Sequence, residues 1–147
     1  MQILVDSSVW IEYFTGAPSP EADYLYRLLG KQPLVVADVV IAEVLHGLPD
    51  EVHRRQAWDA LIKFWLVEVG GVNLAWFAAS NYHTLKARGI PVRMDECRLA
   101  TYCIQQGFAL LHSSPGYDPF EKHLGILIRG PLSAYPRGRL LGYPQTS

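Results

Sequence analysis

The hydrophobic positions along this 147-residue chain form short apolar runs that alternate with helix-like repeats. The run QILVD stops at Asp6, and apolar residues then recur with helical spacing up to Gly16. Ser19 and Pro20 are typical of the start of a second helix. The run PLVVAD is apolar on both faces, as in a buried parallel strand, and a helical repeat follows from Asp38. The first third of the chain therefore predicts strands and helices in alternation.

The second part of the chain continues this alternation. Helices are predicted over 50–64, with Val52 on the inward side, and over 73–89, and we expect the two to pack together around a break at Gly70 and Gly71. Another helix ends at Gly107, before a strand in FALLHS, a short helix in DPFEKHLG and a last strand in ILI. This order predicts an α/β fold with a parallel central sheet covered by helices on both faces, within residues 1–128. The three prolines and three glycines of GPLSAYPRGRLLGYPQTS predict a terminal tail over 129–147.

Composition and charge narrow the class of protein. A hydrophobic content of 50% excludes a disordered chain, and a net charge of −1 provides no general attraction for nucleic acid, so any such contact must be local. No apolar run of eighteen residues and no signal peptide are present, so we expect a cytoplasmic protein without a membrane partner. Cys97 and Cys103 are six residues apart on a predicted helix, so they point to different faces and do not pair. The five histidines lack the spacing of a zinc helix.

Acidic residues stand at comparable places in the predicted elements. Asp6 ends the first strand, Glu43 lies in the helix after the second, and Asp95 or Glu96 opens the helix before the third. Strand carboxyl ends border the ligand-binding crevice of an open parallel sheet, although Asp6 and Asp95 could equally be helix caps. The apolar neighbours of Glu43 cannot offset its charge, whereas a hard cation such as Mg²⁺ can. Such a cation activates water and neutralises charge on a phosphodiester, which indicates phosphodiester hydrolysis.

Four motifs together resemble the PIN domains, and within them the VapC-type ribonuclease toxins of bacterial toxin–antitoxin pairs. They are ILVDSSVWIEYF, VVIAEVLHGL, GIPVRMDECRLATYCIQQGFALLH and YDPFEKHLGI, and they cover residues 2 to about 128. The resemblance implies a PIN-like three-layer sandwich and a metal-dependent endoribonuclease that uses Mg²⁺ or Mn²⁺. It also implies a homodimer that a VapB-like antitoxin holds inactive.

The resemblance assigns roles to the acids. Asp6, with Ser7 beside it, and Glu43 correspond to the first two catalytic and metal-binding positions of the family. The family usually shows Thr, any residue and Asp at the third position, whereas this chain reads MDECRLA. Counting back eleven residues from Gly107, the usual separation, gives Glu96, with Asp95 as the second choice.

The fourth position departs from the family pattern. The family tends to read HxDxDF after the third core strand, and here HSSPGYD places Ser114 and Gly116 where acids would fall. The Ser114 hydroxyl could hold a metal-bound water, and Asp118 is the nearest acid. Two hypotheses follow: an active ribonuclease with Asp6, Glu43 and Glu96 as ligands, or a degenerate PIN domain that binds antitoxin or RNA without cleaving.

Further residues are candidates for contacts with RNA and with a partner protein. Arg93 and Arg98, near the acids, could bind RNA phosphates, as could Arg88 unless it only stabilises a helix end. Because the resemblance implies an antitoxin groove beside the first helices, Trp10 and Tyr13 are candidates for its aromatic rim. A phosphotransfer fold with Asp6 as nucleophile is a weaker alternative, because Ser8 stands where a second Asp would be needed.

Overall fold

The computed structural model describes residues 2–124 and the backbone of residues 127–129. Its elements in chain order are β1 (Ile3–Val5), α1 (Ser7–Thr15), α2 (Pro20–Leu28), β2 (Leu34–Ala37), α3 (Asp38–Gly47), α4 (Glu51–Leu61), β3 (Trp65–Val67), α5 (Val72–Ala87), α6 (Met94–Gln106), β4 (Ala109–Leu111), a 3₁₀ turn (Pro115–Tyr117), α7 (Asp118–Leu124) and β5 (Leu127–Arg129).

All strands are parallel and form one five-stranded sheet in the order β3-β2-β1-β4-β5. Val5 at the end of β1 pairs with Leu111 at the end of β4, so Asp6 and His112 leave the sheet side by side. The strand order reverses between β1 and β4, and ligands of open parallel sheets bind outside the carboxyl ends of the strands at such a switch point. The fold therefore places Asp6 at the expected binding crevice.

The core explains why these short strands form. Every residue of β1, β2 and β4 is buried, because helices α1–α4 and α5–α7 pack as two groups around the sheet. The predicted α/β class with helices on both faces is confirmed. Gly16 and Gly107 end α1 and α6 in the left-handed conformation, at φ 71° and 70°, which a residue without Cβ adopts at no steric cost. Both cysteines are buried and free, as predicted.

The region between α3 and α5 differs from the sequence prediction. Helix α4 ends at Leu61, and Trp65–Val67 form the edge strand β3, which the sequence analysis missed. Helix α4 packs mainly on α3, and α5 packs on α6, so the predicted packing of the two helices against each other is wrong. Val52, predicted to face inward, is 65% exposed. A three-residue strand on an exposed edge gives too short an apolar signal to be separated from the helix before it.

Two further sequence predictions concern the C-terminal tail and membrane-spanning helices. Apart from the backbone of Arg129, the predicted tail over 129–147 lies outside the described residues. Among the helices of the described part, none combines the length and apolar character that crossing a membrane requires.

Candidate active site at the carboxyl end of the sheet

Asp6 is the buried carboxylate at the switch point, with only 5% of its surface exposed. It caps α1: its Oδ2 accepts hydrogen bonds from the Ser8 backbone N–H at 3.2 Å and from the Ser8 hydroxyl at 2.6 Å. Its Oδ1 accepts a hydrogen bond from the Tyr117 hydroxyl at 3.0 Å. Asp6 therefore forms the helix cap that the sequence left open as an alternative. It also lies in the binding crevice.

A chain of hydrogen bonds connects this cap to the loop after β4. The Ser113 N–H donates to Ser8 Oγ at 3.3 Å, and the Ser113 hydroxyl donates to Glu12 Oε2 at 3.0 Å. The other Glu12 oxygen accepts from the Ser19 hydroxyl at 2.9 Å. The loop between β4 and α7 is thus held against the first turns of α1. Sequence reasoning missed the contacts of Ser113 with Ser8 and Glu12, because these residues lie more than a hundred positions from Ser113 along the chain.

Glu43 reaches the same crevice from α3, but it is an exposed residue. The premise that its apolar neighbours remove it from water is wrong. Val40 and Val44 form the buried side of α3, and Glu43 lies on a different side of the helix. Partial loss of hydration raises the pKa of the Glu43 carboxyl, and the negative charges of Asp6 and Asp95 raise it further. A hydrogen bond from the Ser7 side chain opposes this shift.

Asp95, in the first turn of α6, is paired with an arginine. The Arg93 guanidinium donates two hydrogen bonds to it, at 3.1 and 3.0 Å. Partial burial raises the pKa of Asp95, but the hydrogen bonds from Arg93 and from the backbone outweigh it, and the pKa lies below its ordinary value. The pair is largely exposed, so it orients Asp95 more than it stabilises the fold.

Glu96, the next residue, turns toward the loop after β4. The Ser114 hydroxyl donates a hydrogen bond to Glu96 Oε2 at 2.8 Å. The carboxylate lies directly against Gly116: an ideal Cβ built on Gly116 would stand 2.3 Å from Oε1 and 2.6 Å from Oε2. Because real Cβ atoms essentially never approach so closely, Glu96 occupies the space that a side chain at position 116 would need.

A cavity of about 320 Å³ opens beside these acids. Its walls combine apolar residues of α3, α5 and the loop before α5 with a few polar groups, namely Glu43, Asp95, Arg98 and the hydroxyl-bearing Tyr117. Asp38 shapes this wall, since its Oδ1 accepts a hydrogen bond from the Val69 N–H at 2.9 Å. A concave, mainly apolar site with a few converging polar groups is typical of ligand binding.

Comparison with known proteins agrees with this geometry. A family model described as the PIN domain matches residues 3–113, which is most of the chain. The chain belongs to the PIN domain family. This PIN domain is 27% identical over 121 residues to "VapC ribonuclease Mb1587" of Mycobacterium bovis and to "Ribonuclease VapC11" of Mycobacterium tuberculosis, with 79% of this chain and 89% of each relative covered.

Solved structures show the same fold at low sequence identity. The VapBC2 structure from Rickettsia felis, bound to a DNA fragment from its promoter, gives a TM-score of 0.68 at 11% identity and covers 88% of this PIN domain and 98% of that chain. VapBC-1 from nontypeable Haemophilus influenzae gives 0.61 at 16% identity, with the same coverage. VapBC-5 from Mycobacterium tuberculosis gives 0.59 at 16% identity and covers 83% of this PIN domain and 92% of that chain.

The carboxylate oxygens of this PIN domain meet part of what a hard cation such as Mg²⁺ requires. Mg²⁺ takes oxygen ligands, keeps several waters and is commonly bound through only one or two carboxylates. Asp6 and Glu43 would supply such a pair, since the negative charge of Asp6 acts on Glu43 and raises its pKa. Within the described residues, however, no three His, Cys, Asp or Glu side chains are grouped closely enough to hold one ion. A third ligand from Glu96, Asp95 or Asp118 is therefore not in place in this arrangement.

The other predicted residues are placed as follows. Arg98 lies at the cavity wall, whereas Arg88 lies away from the acids, with its guanidinium 3.2 Å from the ring of His123. Trp10 is 1% exposed and stacks on Phe14, so it belongs to the core and has almost no surface for a partner. Tyr13 is half-buried beside it.

Proposed function

We propose that this PIN domain is a metal-dependent endoribonuclease of the VapC type, a toxin that a VapB-like antitoxin holds inactive. The observation that supports the proposal is that Asp6 lies at the switch point of the sheet and that its charge raises the pKa of Glu43, which comes from a separate segment. Its similarity to proteins named VapC ribonuclease supports RNA as the substrate.

Different residues of the site would have different roles in RNA cleavage. Asp6 Oδ1 and the Glu43 carboxylate would hold Mg²⁺ or Mn²⁺. When bound, such an ion lowers the pKa of a coordinated water and neutralises charge on the phosphodiester during in-line attack. The Ser7 side chain orients Glu43 by a hydrogen bond. Asp95, whose charge also raises the pKa of Glu43, and Glu96, which accepts a hydrogen bond from Ser114, would add negative charge near the cation.

RNA would approach along the cavity. Arg98 at the cavity wall and Arg93 at the start of α6 can donate charge-assisted hydrogen bonds to phosphates on either side of the scissile bond. The apolar wall from α5 offers a surface for a neighbouring nucleotide. The net charge of −1 means that these local contacts, rather than an overall field, must hold the substrate.

The partners and place of action belong to the same proposal. The similar solved structures are those of VapBC2 and VapBC-1, and we infer a VapB-like partner for this chain, with half-buried Tyr13 as one contact. We also propose a homodimer that acts in the cytoplasm, where its two free cysteines would stay reduced.

The test is cleavage of a mixed RNA substrate by the purified chain with Mn²⁺ or Mg²⁺, without antitoxin. We expect cleavage that EDTA abolishes and that Asp6→Asn reduces by about 100-fold, the upper end of the loss caused even by residues that only support metal ligands. Asp59→Asn, on the exposed surface of α4, is the matched control and should keep full activity. Cleavage that is equal in Asp6→Asn would contradict the assignment.

A second function, a PIN domain that binds RNA or antitoxin without cleaving, is favoured by one feature of the site. Ser114 and Gly116 bring no charge, and Glu96 is engaged by Ser114 instead of facing Asp6 and Glu43 as a third ligand. Full-affinity antitoxin binding by a preparation that takes up no Mn²⁺ and cleaves no RNA would establish this second function.

A further inference from the structure

Tyr117 is a deeply buried tyrosine at this site, and the proposed function leaves it without a role. It is 3% exposed, and its ring packs between His112 and Phe120, with centroid distances of 4.9 and 6.4 Å. Its hydroxyl leaves this packed environment to donate to Asp6 Oδ1 at 3.0 Å. Packing already fixes the ring in the folded protein. Holding the hydroxyl at Asp6 therefore costs no further conformational entropy.

The Asp6 carboxylate can accept only a limited number of hydrogen bonds, and most of these positions are filled. An ionised carboxylate offers about four lone-pair positions, two on each oxygen. The backbone N–H and the hydroxyl of Ser8 fill both positions on Oδ2, and Tyr117 fills one of the two on Oδ1. The donors among the described residues thus leave one position, on Oδ1, and a cation bound there must share that oxygen with the Tyr117 hydroxyl.

The same hydroxyl also stands close to Glu96. A phenol is protonated near neutral pH, so the Tyr117 hydroxyl has a proton to donate to Asp6. Ser114 supplies the hydroxyl donor to Glu96 itself. Hydroxyl donors thus face both acids at the place where a cation shared by Asp6 and Glu96 would have to lie.

We propose that Tyr117 is a positioning residue that competes with a divalent cation for Asp6 Oδ1 and thereby sets the metal affinity of the site. The donated hydrogen bond gives the buried Asp6 carboxylate a partner on Oδ1 without a cation. It also draws electron density from the one oxygen that remains open. The proposal rests on the proposed function only in taking Asp6 as a metal ligand.

The test is Mn²⁺ binding to the full chain, followed by the electron paramagnetic resonance signal of free Mn²⁺ and by calorimetry. We expect Tyr117→Phe to bind Mn²⁺ about ten-fold more tightly than the parent, the worth of a hydrogen bond to a charged group. Tyr82→Phe, a half-buried tyrosine on α5, is the control and should match the parent. A tyrosine with a purely structural role would give unchanged or weaker binding in Tyr117→Phe, and either result overturns the proposal.

Folding and function can be separated from this result. Urea unfolding of each variant shows whether Tyr117→Phe is folded. If it is not, Ser8→Ala, which removes a hydroxyl donor from Oδ2, should shift Mn²⁺ affinity in the same direction. Absence of Mn²⁺ binding in every variant also overturns the proposal. Absence of RNA cleavage alongside tighter Mn²⁺ binding by Tyr117→Phe would refute the proposed ribonuclease while supporting the role of Tyr117.

Discussion

Replacing Gly116 by alanine tests the most closely packed contact of the site. The new Cβ would lie 2.3 Å from Glu96 Oε1 and 2.7 Å from Cδ, well below the distance that real Cβ atoms tolerate. Gly116 is not among the glycines with positive φ, so the backbone itself accepts alanine. The Glu96 carboxylate, at the end of a flexible side chain, must therefore swing away and lose its hydrogen bond from Ser114.

The loss of the hydrogen bond between Ser114 and Glu96 determines how much Gly116→Ala lowers the free energy of unfolding. A hydrogen bond to a charged group contributes about 1.5–3 kcal/mol, and replacing glycine by alanine restores about 0.4–1 kcal/mol by restricting the unfolded chain. We expect Gly116→Ala to lower the free energy of unfolding by about 1–2 kcal/mol, or about 3–6 °C in melting temperature for a chain of this size. Gly70→Ala, where nothing lies within 4 Å of the added Cβ, is the control and should change little.

A double-mutant cycle separates this explanation from a general disturbance of the loop. Glu96→Asp shortens the side chain, so it gives up the bond to Ser114 and also vacates the space beside Gly116. In the Glu96→Asp background, Gly116→Ala should then cost nearly nothing, a coupling of about 1 kcal/mol or more in urea unfolding. If the two costs simply add, the placement of the Glu96 carboxylate is refuted.

Two other predictions concern charge at the site. Because the pKa of Glu43 is raised in the folded state, its contribution to stability is present at low pH and is lost as pH rises through that pKa. Glu43→Gln should thus stabilise the fold at pH 7 by a few tenths of a kcal/mol, a small value because the residue is exposed, and the gain should vanish near pH ~3; destabilisation at pH 7 would contradict this. Arg98→Ala should weaken RNA binding and reduce the slope of log affinity against log salt by about 0.7. Arg55→Ala, exposed on α4, is its control, and equal effects of the two would refute a role for Arg98.

Much of the architecture followed from local patterns. The strand ending at Asp6, the helix cap at Ser19 and the glycines ending α1 and α6 were all predicted, because each depends on neighbours within a few residues. The edge strand β3 was missed because it is three residues long and largely exposed. Such a strand is defined by its pairing with β2, which no local pattern records.

The site was predicted less completely, for a similar reason. The sequence placed Asp6 and Glu43 at the crevice, but the apolar run around Glu43 did not reveal that its side of the helix is exposed. The hydroxyl of Tyr117 on Asp6 joins residues 111 positions apart. The close contact of the Glu96 carboxylate with Gly116 depends on how α6 packs against the loop after β4. Contacts of this kind come from tertiary packing, so only coordinates could reveal them.

The proposed ribonuclease requires that Asp6 and Glu43 together hold a divalent cation. Crystals of the chain soaked in Mn²⁺ and measured at a wavelength with Mn anomalous signal test it most directly. We expect one anomalous peak within coordination distance of Asp6 Oδ1 and of a Glu43 oxygen. A saturating soak that leaves no peak there, or a peak that touches neither carboxylate, would show that Asp6 and Glu43 do not bind the cation together.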